Sequence, residues 1–426
     1  MRRNQNESHT VVAMSAVLFL AAILIAGCGG GDAAVTVFEG ARLIVGDGSA
    51  AIEDAVFIVE DDRFTGAGPR ADVEIPGGAT HVDLSGKTVM PAIVNAHVHL
   101  ASTREDRVDQ LQHMAYYGAG MVLSLGLDTG EVPFEMRDEA VSDGALSRTA
   151  GRGITSPEDG RTDVPFWVTS VEEARTAVQE LASQQVDFVK IWVDDRNGQY
   201  EKLSSALYGA VIDEAHTHGL RVTAHVYTLE DAKGLLRAGI DAFAHGIRDQ
   251  DIDDELVTLW TERSHVVLVP NLPNPGVAGD LSWLSGTVPA GQLQEMQEAS
   301  RDRPAAQQSF GIQARNLARL SQEGVTIAFG TDGSTPWATH QEMEDMVRTG
   351  MTPAEVIAAA TGTSAELMEL ADIGTVAVGK SADFIVLDAN PLDDITNTRR
   401  IDAVYLRGMA VDRDALSARF SSGGEQ

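Results

Sequence analysis

Hydrophobic and polar positions fall into three textures along the chain. In residues 35–38, 55–59 and 81–83, short β-branched and aromatic runs are cut apart by Gly, Asp and Pro clusters. Runs of that kind, with no helical periodicity between them, predict strands. From Val89 the texture changes. Short apolar runs at 89–94, 121–125, 145–150, 188–193, 221–225, 242–245, 266–270 and 326–331 read as strands. Amphipathic stretches at helical spacing lie among them, at 171–183, 204–218, 229–238, 253–263 and 305–322, with two more at 341–349 and 353–360. Strands alternating with helices predict βα units around a parallel sheet, and eight of them predict a (β/α)8 TIM barrel. Past Gly374 the text is strand-like again at 382–387 and 403–406, and beyond Arg413 it reads as frayed. Neither β-rich flank is large enough to build its own core. The expected organisation is therefore a barrel over 89–373, a small β-sandwich made of 35–88 and 374–415, and a tail at 416–426.

Composition narrows the class. The 426 residues are 43% hydrophobic and 22% charged, which excludes wholesale disorder and collagen-like structure. Acidic residues number 63 against 32 basic, a net charge of -31. Nucleic acid is therefore not an expected partner, because phosphate contacts need clustered Lys and Arg. The same charge repels anionic substrates unless a metal reverses the local sign. Adaptation to salt gives the same balance.

The start of the chain has its own signature. Arg2 and Arg3 precede an almost wholly apolar or small run over 11–27. That is the pattern of a secretory signal peptide over 1–27, and its length is borderline for a membrane anchor. Ile25-Ala26-Gly27-Cys28 resembles the bacterial lipobox, with cleavage before Cys28 and lipid on its sulfur. Gly29-Gly30-Gly31 follows as a tether within 28–34. Cys28 is the only cysteine, so no intramolecular disulfide forms. The expectation is a cell-envelope lipoprotein, held to a membrane through Cys28 on the periplasmic side or at the cell surface.

In a barrel enzyme the functional side chains stand at the C-terminal ends of the strands. Those positions here hold His97 and His99, Lys190, His225, His245 and Asp332. His97 and His99 are two apart on a strand and point the same way, so they can share a metal. His216-Thr217-His218 has the same spacing but ends a helix, where such positions do not face one another. Lys190 lies in an apolar strand, where burial lowers an ammonium pKa. Its neutral amine can take up carbon dioxide and become an anionic carbamate able to bridge two metals. The alternative is a lysine facing solvent or paired with Asp194 or Asp195. His225 and His245 each close a short apolar strand, as ligands or as satisfied core residues. Asp332 can bind metal and take a proton from activated water, or can form an Asx turn before Gly333.

The wider context strengthens the metal reading. Val89-Met90-Pro91-Ala92-Ile93-Val94-Asn95-Ala96-His97-Val98-His99, Val189-Lys190-Ile191, Ala224-His225, Ala244-His245-Gly246 and Gly330-Thr331-Asp332 resemble the metal stations of the amidohydrolase superfamily. The nearest branch is the imidazolonepropionase-like and prolidase-like group. Gly350-Met351-Thr352-Pro353, Ile373-Gly374-Thr375 and Gly379-Lys380-Ser381-Ala382-Asp383-Phe384 are similar to its C-terminal stretch. The departures are Ala92 in place of the usual Gly, Ala244 in place of a common acidic residue, and Val226-Tyr227 after His225.

The resemblance implies two divalent metal ions, with zinc the expected metal. His97, His99 and Asp332 would hold one and His225 and His245 the other, bridged by carbamylated Lys190. Asp332 would shuttle the proton from metal-activated water to the leaving amine. The implied reaction cleaves a C–N bond in a small-molecule substrate such as an N-acyl amino acid or dipeptide. Tyr227 would serve as an oxyanion partner, with loop packing as its alternative. His340 either reaches substrate or decorates a helix start. Segments 151–167, 194–199 and 271–304 are long enough to roof the pocket, and Arg152, Arg161, Arg196 and Arg248 are candidate carboxylate clamps. Other readings are a mononuclear cyclic-amide hydrolase or deaminase, a lactonase or phosphotriesterase, and a non-enzymatic binding lipoprotein. Retention of all six metal positions argues against the last.

Overall fold

The computed structural model describes residues 35–422. The expected leader and Cys28 lie outside them. The architecture is α/β and contains one eight-stranded mixed sheet and two parallel sheets.

The two β-rich flanks share the mixed sheet. Val35–Leu43 pairs antiparallel with Ile52–Glu60 on one side, and parallel with Thr80–Asp83 and then Thr88–Pro91 on the other. Phe384–Leu387 joins Thr88–Pro91 antiparallel, which binds the C-terminal flank to the N-terminal one. The sheet curls until its far strands touch. Arg63 forms an antiparallel bridge with Ser381. Phe57 and Phe384, with two strands between them in the sheet order, bring their rings to 5.1 Å. Alternation along Ile52–Glu60 explains how both faces are filled. Ala55, Phe57 and Val59 join Phe38, Phe64 and Phe384 in one core, while Val56 and Ile58 join Val37 in another.

The parallel strands carry the chemistry. Ile93–Val98, Ala119–Ser124 and Leu146–Thr149 form one sheet. Ile154–Thr155, Val189–Val193, Val222–Val226, Ala242–Phe243 and Val267–Leu268 run in order through the other, with Phe166–Trp167 at its edge. Single hydrogen bonds continue between them. Asp187 N donates to Thr149 O at 2.9 Å, and Ala96 N donates to Phe329 O at 2.9 Å. Leu268 bridges Ile327 in parallel. Helices fill the connections. Val171–Ser183 buries Ala174, Ala177, Val178 and Leu181 at helical spacing, and starts at a capping box of Ser170 and Glu173.

Several expectations need correction. The run 89–94 is not one strand. Thr88–Pro91 belongs to the mixed sheet, and Ile93–Val98 opens the parallel one. Both pieces are buried throughout, so the hydrophobic pattern carries no mark of the break. Residues 326–331 contribute a bridge and hydrogen bonds but no assigned strand. Helix Arg104–Tyr116 escaped the pattern because its sequence is largely polar and one of its buried residues is Arg107. Helix Ala290–Ala299 lies within the segment expected to be irregular and has no buried residue. The supposedly frayed end contains helix Arg413–Ser421, capped by Asp412 and seated by buried Leu416 and Phe420. Two apolar residues four apart are enough to dock it but too few to announce it.

Phe384 touches Phe38, Phe57, Phe64 and Tyr405 and so holds both flanks together. Phe384→Ala is expected to cost about 3–5 kcal/mol in denaturant unfolding, by lost burial plus the cavity left behind. Val378→Ala, at a position 66% exposed, is expected to change little.

Candidate metal centre

Parallel strands place their C-terminal ends on one rim. His97 lies in Ile93–Val98 and His99 just past it. Lys190 and His225 lie in Val189–Val193 and Val222–Val226, and His245 follows Ala242–Phe243 by two residues. Asp332 arrives through Thr331, and the backbone N–H groups of both donate to His97 O at 3.0 and 2.9 Å. Gly330 makes this approach possible. A Cβ there would stand 2.7 Å from both His97 Cβ and Asn271 Oδ1. Asp332 and Asn271 adopt φ of 52° and 42°, the left-handed region that non-glycine residues avoid except at constrained sites.

The donors converge on Asp332. His99 Nε2 lies 3.0 Å and His97 Nε2 3.2 Å from its Oδ1, and His245 Nε2 lies 3.6 Å from its Oδ2. Ligand atoms of His97, His245 and Asp332 all lie within 4.8 Å of one another. The rings of His225 and His245 stand 4.6 Å apart. Lys190 is fully buried, and its Nζ has no hydrogen-bond partner. His97 Nε2 also lacks an aligned partner, although an Asp332 oxygen is close. Imidazoles and a carboxylate gathered beside an orphaned amine, with only His99 Nε2 in an aligned hydrogen bond to Asp332, fit a divalent metal.

Electrostatics prepares the same set. Burial pushes His97 down to about 3 and His225 down to about 4, and it holds His245 well below the usual range. All three are therefore neutral at physiological pH, as metal ligation requires. Burial also lowers the Lys190 amine to about 7. Burial pushes the Asp332 carboxyl up, but His97, His99 and His245 outweigh it and hold it well below the usual range. The ionised carboxylate is the negative centre of the cluster.

Three contributors went unread in the sequence. Asn271 Nδ2 lies 2.7 Å from His97 Nδ1 and donates to Ala244 O at 2.9 Å, so it ties two ligand strands together. Asp194 Oδ2 lies 2.9 Å from His225 Nε2 and accepts from Arg196 Nη1 at 2.7 Å. The carboxylate offered as an alternative partner for Lys190 is thus engaged by His225 and Arg196. Glu158 accepts from Arg196 Nε at 2.9 Å and joins the 151–167 and 194–199 segments over the site. An acidic residue just past a strand end was the available signal for Asp194. Nothing in the text marks Asn271 or Glu158.

Other candidates fall differently. Tyr227 is half-buried and is absent from the pocket lining formed by His97, His99, Trp192, His225, His245 and Asp332. Arg152 stacks on Phe166, and Arg161 pairs with Glu158. Arg248 differs from them, because its Nε is buried without a partner. His216 and His218 pair with Asp241 and Glu214. His340 is absent from the pocket lining and stands in the first turn of a helix, the second of its two expected placements. It is buried within helix Ala338–Arg348, against Thr398 and the Trp283 ring.

A histidine–aspartate cluster with a buried lysine, on the rim of parallel strands, defines the site class of a metal-dependent hydrolase. The amidohydrolase family model matches residues 88–411, and the chain belongs to that family. It is 27% identical over 390 residues to the imidazolonepropionase of Deinococcus radiodurans, covering 84% of this chain and 92% of that one. A solved structure described as a candidate prolidase from Bifidobacterium longum superposes with a TM-score of 0.73 at 27% identity, covering 91% of this chain and 99% of that one. Phenylurea hydrolase B gives 0.73 at 25% identity, covering 90% and 98%. The protein is accordingly an enzyme, a hydrolase acting on carbon–nitrogen bonds with a metal requirement.

Burying the Lys190 ammonium destabilises the metal-free fold below its lowered pKa of about 7, and the penalty disappears as pH approaches its usual 10.5. In chelator-treated protein, Lys190→Met is expected to unfold at higher urea than the parent below pH 7. The gap should close steadily towards pH 10, as read from paired urea titrations.

Proposed function

We propose that the enzyme hydrolyses the amide bond of an N-acyl amino acid or dipeptide at a metal centre built from His97, His99, Lys190, His225, His245 and Asp332. The observation that carries this reading is the convergence of the His97, His245 and Asp332 donor atoms beside the unpartnered Lys190 Nζ. A bound divalent metal, with zinc the best match to these ligands, supplies Lewis acidity and acidifies water. The chain supplies the rest. Neutral imidazoles orient the site, and Asp332 accepts a proton at its carboxylate and returns it to the departing amine. Lys190, with a substantial neutral fraction near pH 7, is suited to carbamylation. Cleavage yields a carboxylate and an amine. Names of the related proteins, prolidase and phenylurea hydrolase among them, support C–N bond hydrolysis as the reaction class.

The hydrogen bonds from Ala96 to Phe329 and from Asp187 to Thr149 support a closed eight-stranded barrel, flanked by a curled β-sandwich. A second reading has one metal. Asp194 occupies His225 Nε2, which leaves His97, His245 and Asp332 as a self-sufficient trio. Metal analysis of protein purified with zinc and bicarbonate separates the two. Two ions per chain are expected, falling to one or none in Lys190→Ala. One ion, unchanged by the substitution, would favour the single-metal site.

The lipobox-like Ile25-Ala26-Gly27-Cys28 supports export and attachment to a membrane through lipid on Cys28. Cell fractionation is expected to find the parent in the membrane fraction and Cys28→Ser outside it.

A further inference from the structure

Two hollows are lined by successive residues, Thr331 and Asp332. The one that holds the histidines measures about 160 Å³. Its neighbour measures about 780 Å³ and lies between the 271–304 segment and helix Ala338–Arg348. Thr331 lines the larger and Asp332 the smaller, so the two share one peptide unit as a wall. Ligand pockets run to about 300–1,000 Å³. The smaller hollow is below that range and suits the scissile group with its immediate substituents. The larger one falls inside it.

The larger cavity has a mixed polar and apolar lining that includes two tryptophans. Leu272, Val277, Leu281, Trp283, Met296 and Trp337 contribute to it. Leu281, Trp283, Met296 and Trp337 are also backed by the buried Tyr117, Leu284 and Val288, so the surface is fixed from behind. Four of the charged groups of the wall are occupied by one another. Arg399 pairs with Glu344 while stacking on Trp283 at 4.5 Å, and Arg348 pairs with Glu344 and Asp345. Arg303 donates to Asn274, and Glu342 accepts from Leu272 N. Arg301 is exposed. The apolar part open to a ligand is the Trp337 indole with the aliphatic chains of Leu272, Val277, Leu281 and Met296, which suits bulky apolar groups.

We propose that this cavity binds a large aromatic or branched apolar group flanking the scissile C–N bond. The enzyme's preferred substrates are then amides that carry such a group on one side. The inference rests on the amide-hydrolase reading above. Remote binding in this cavity holds the amide in the smaller hollow, and its energy is available for positioning.

The test uses the zinc-loaded full chain with N-acetylglycine, N-(naphthylacetyl)glycine and N-acetyl-naphthylalanine. At least one naphthyl amide is expected to exceed N-acetylglycine in kcat/KM by about tenfold or more. The better of the two tells whether the acyl or the amine side enters the cavity. Val277→Trp and Ala299→Trp fill the cavity from wall positions exposed to solvent. Each is expected to cut that preference at least about fivefold, chiefly through KM. Val378→Trp, on an exposed position outside the lining, is the control and leaves the preference intact. Equal kcat/KM for all three amides, or a preference unmoved by both filling variants, would overturn the cavity's role and leave amide hydrolysis standing. Hydrolysis of none of the three would overturn the amide reading itself and the inference with it.

Discussion

The site depends on one close approach of backbone to backbone. The segment ending in Asp332 comes to the strand of His97 near enough for two N–H groups to share the His97 carbonyl. That approach needs the absent side chain of Gly330 and the left-handed turn of Asp332. It also turns the Asp332 carboxylate towards His97, His99 and His245, which come from two other segments. A side chain at Gly330 would push against His97 and Asn271 together, so packing and ligand geometry cannot be altered separately there. The strain of a non-glycine residue at positive φ is tolerated because hydrogen bonds on both sides over-determine it.

Charge is organised on two scales. The whole chain carries -31, yet the cluster draws together groups that burial keeps neutral around one ionised carboxylate. Desolvation alone would expel a lysine from such a place. Gly126 gives the Lys190 stem its room, since a Cβ there would stand 2.7 Å from Lys190 Cγ. The amine is thus held where it loses its proton readily and finds no hydrogen-bond partner among the described residues. A divalent metal would make that arrangement electrostatically sensible, because neutral imidazoles and the Asp332 carboxylate are the donors such an ion takes.

Much of the architecture was legible because the relevant signals are local. Helices Val171–Ser183 and Leu229–Ala238 follow from apolar spacing with Ser170 and Thr228 as caps, and the histidines of the rim follow from their places at the ends of apolar runs. What was hidden depends on contacts distant in sequence. The division between Thr88–Pro91 and Ile93–Val98 reflects a change of sheet partner, which a continuous apolar run cannot display. Asn271 is an ordinary loop residue until folding sets it against His97, 174 residues away. Asp194 was visible as a carboxylate near Lys190, but its pairing with His225 required the neighbouring strand.

The roof of the site was the least legible part, and the reason is physical. Helix Ala290–Ala299 buries no residue, so it carries little hydrophobic periodicity. Polar contacts help to fix its location, beside the packing of Leu293 and Met296 against Tyr117, Leu284 and Val288. Gln297 Oε1 accepts from Leu281 N, its Nε2 donates to Gly279 O, and Ser300 bonds at Gly279 as well. Elements held this way can change sequence and length without disturbing the core beneath them. The rim is tied into the parallel strands by backbone hydrogen bonds, whereas the roof is fastened by side-chain polar contacts and a small apolar cluster. On the proposed reading, reaction chemistry and substrate choice therefore rest on differently fastened parts of the protein. The first belongs to a scaffold whose parts constrain one another, and the second to a cover that can be remodelled one contact at a time.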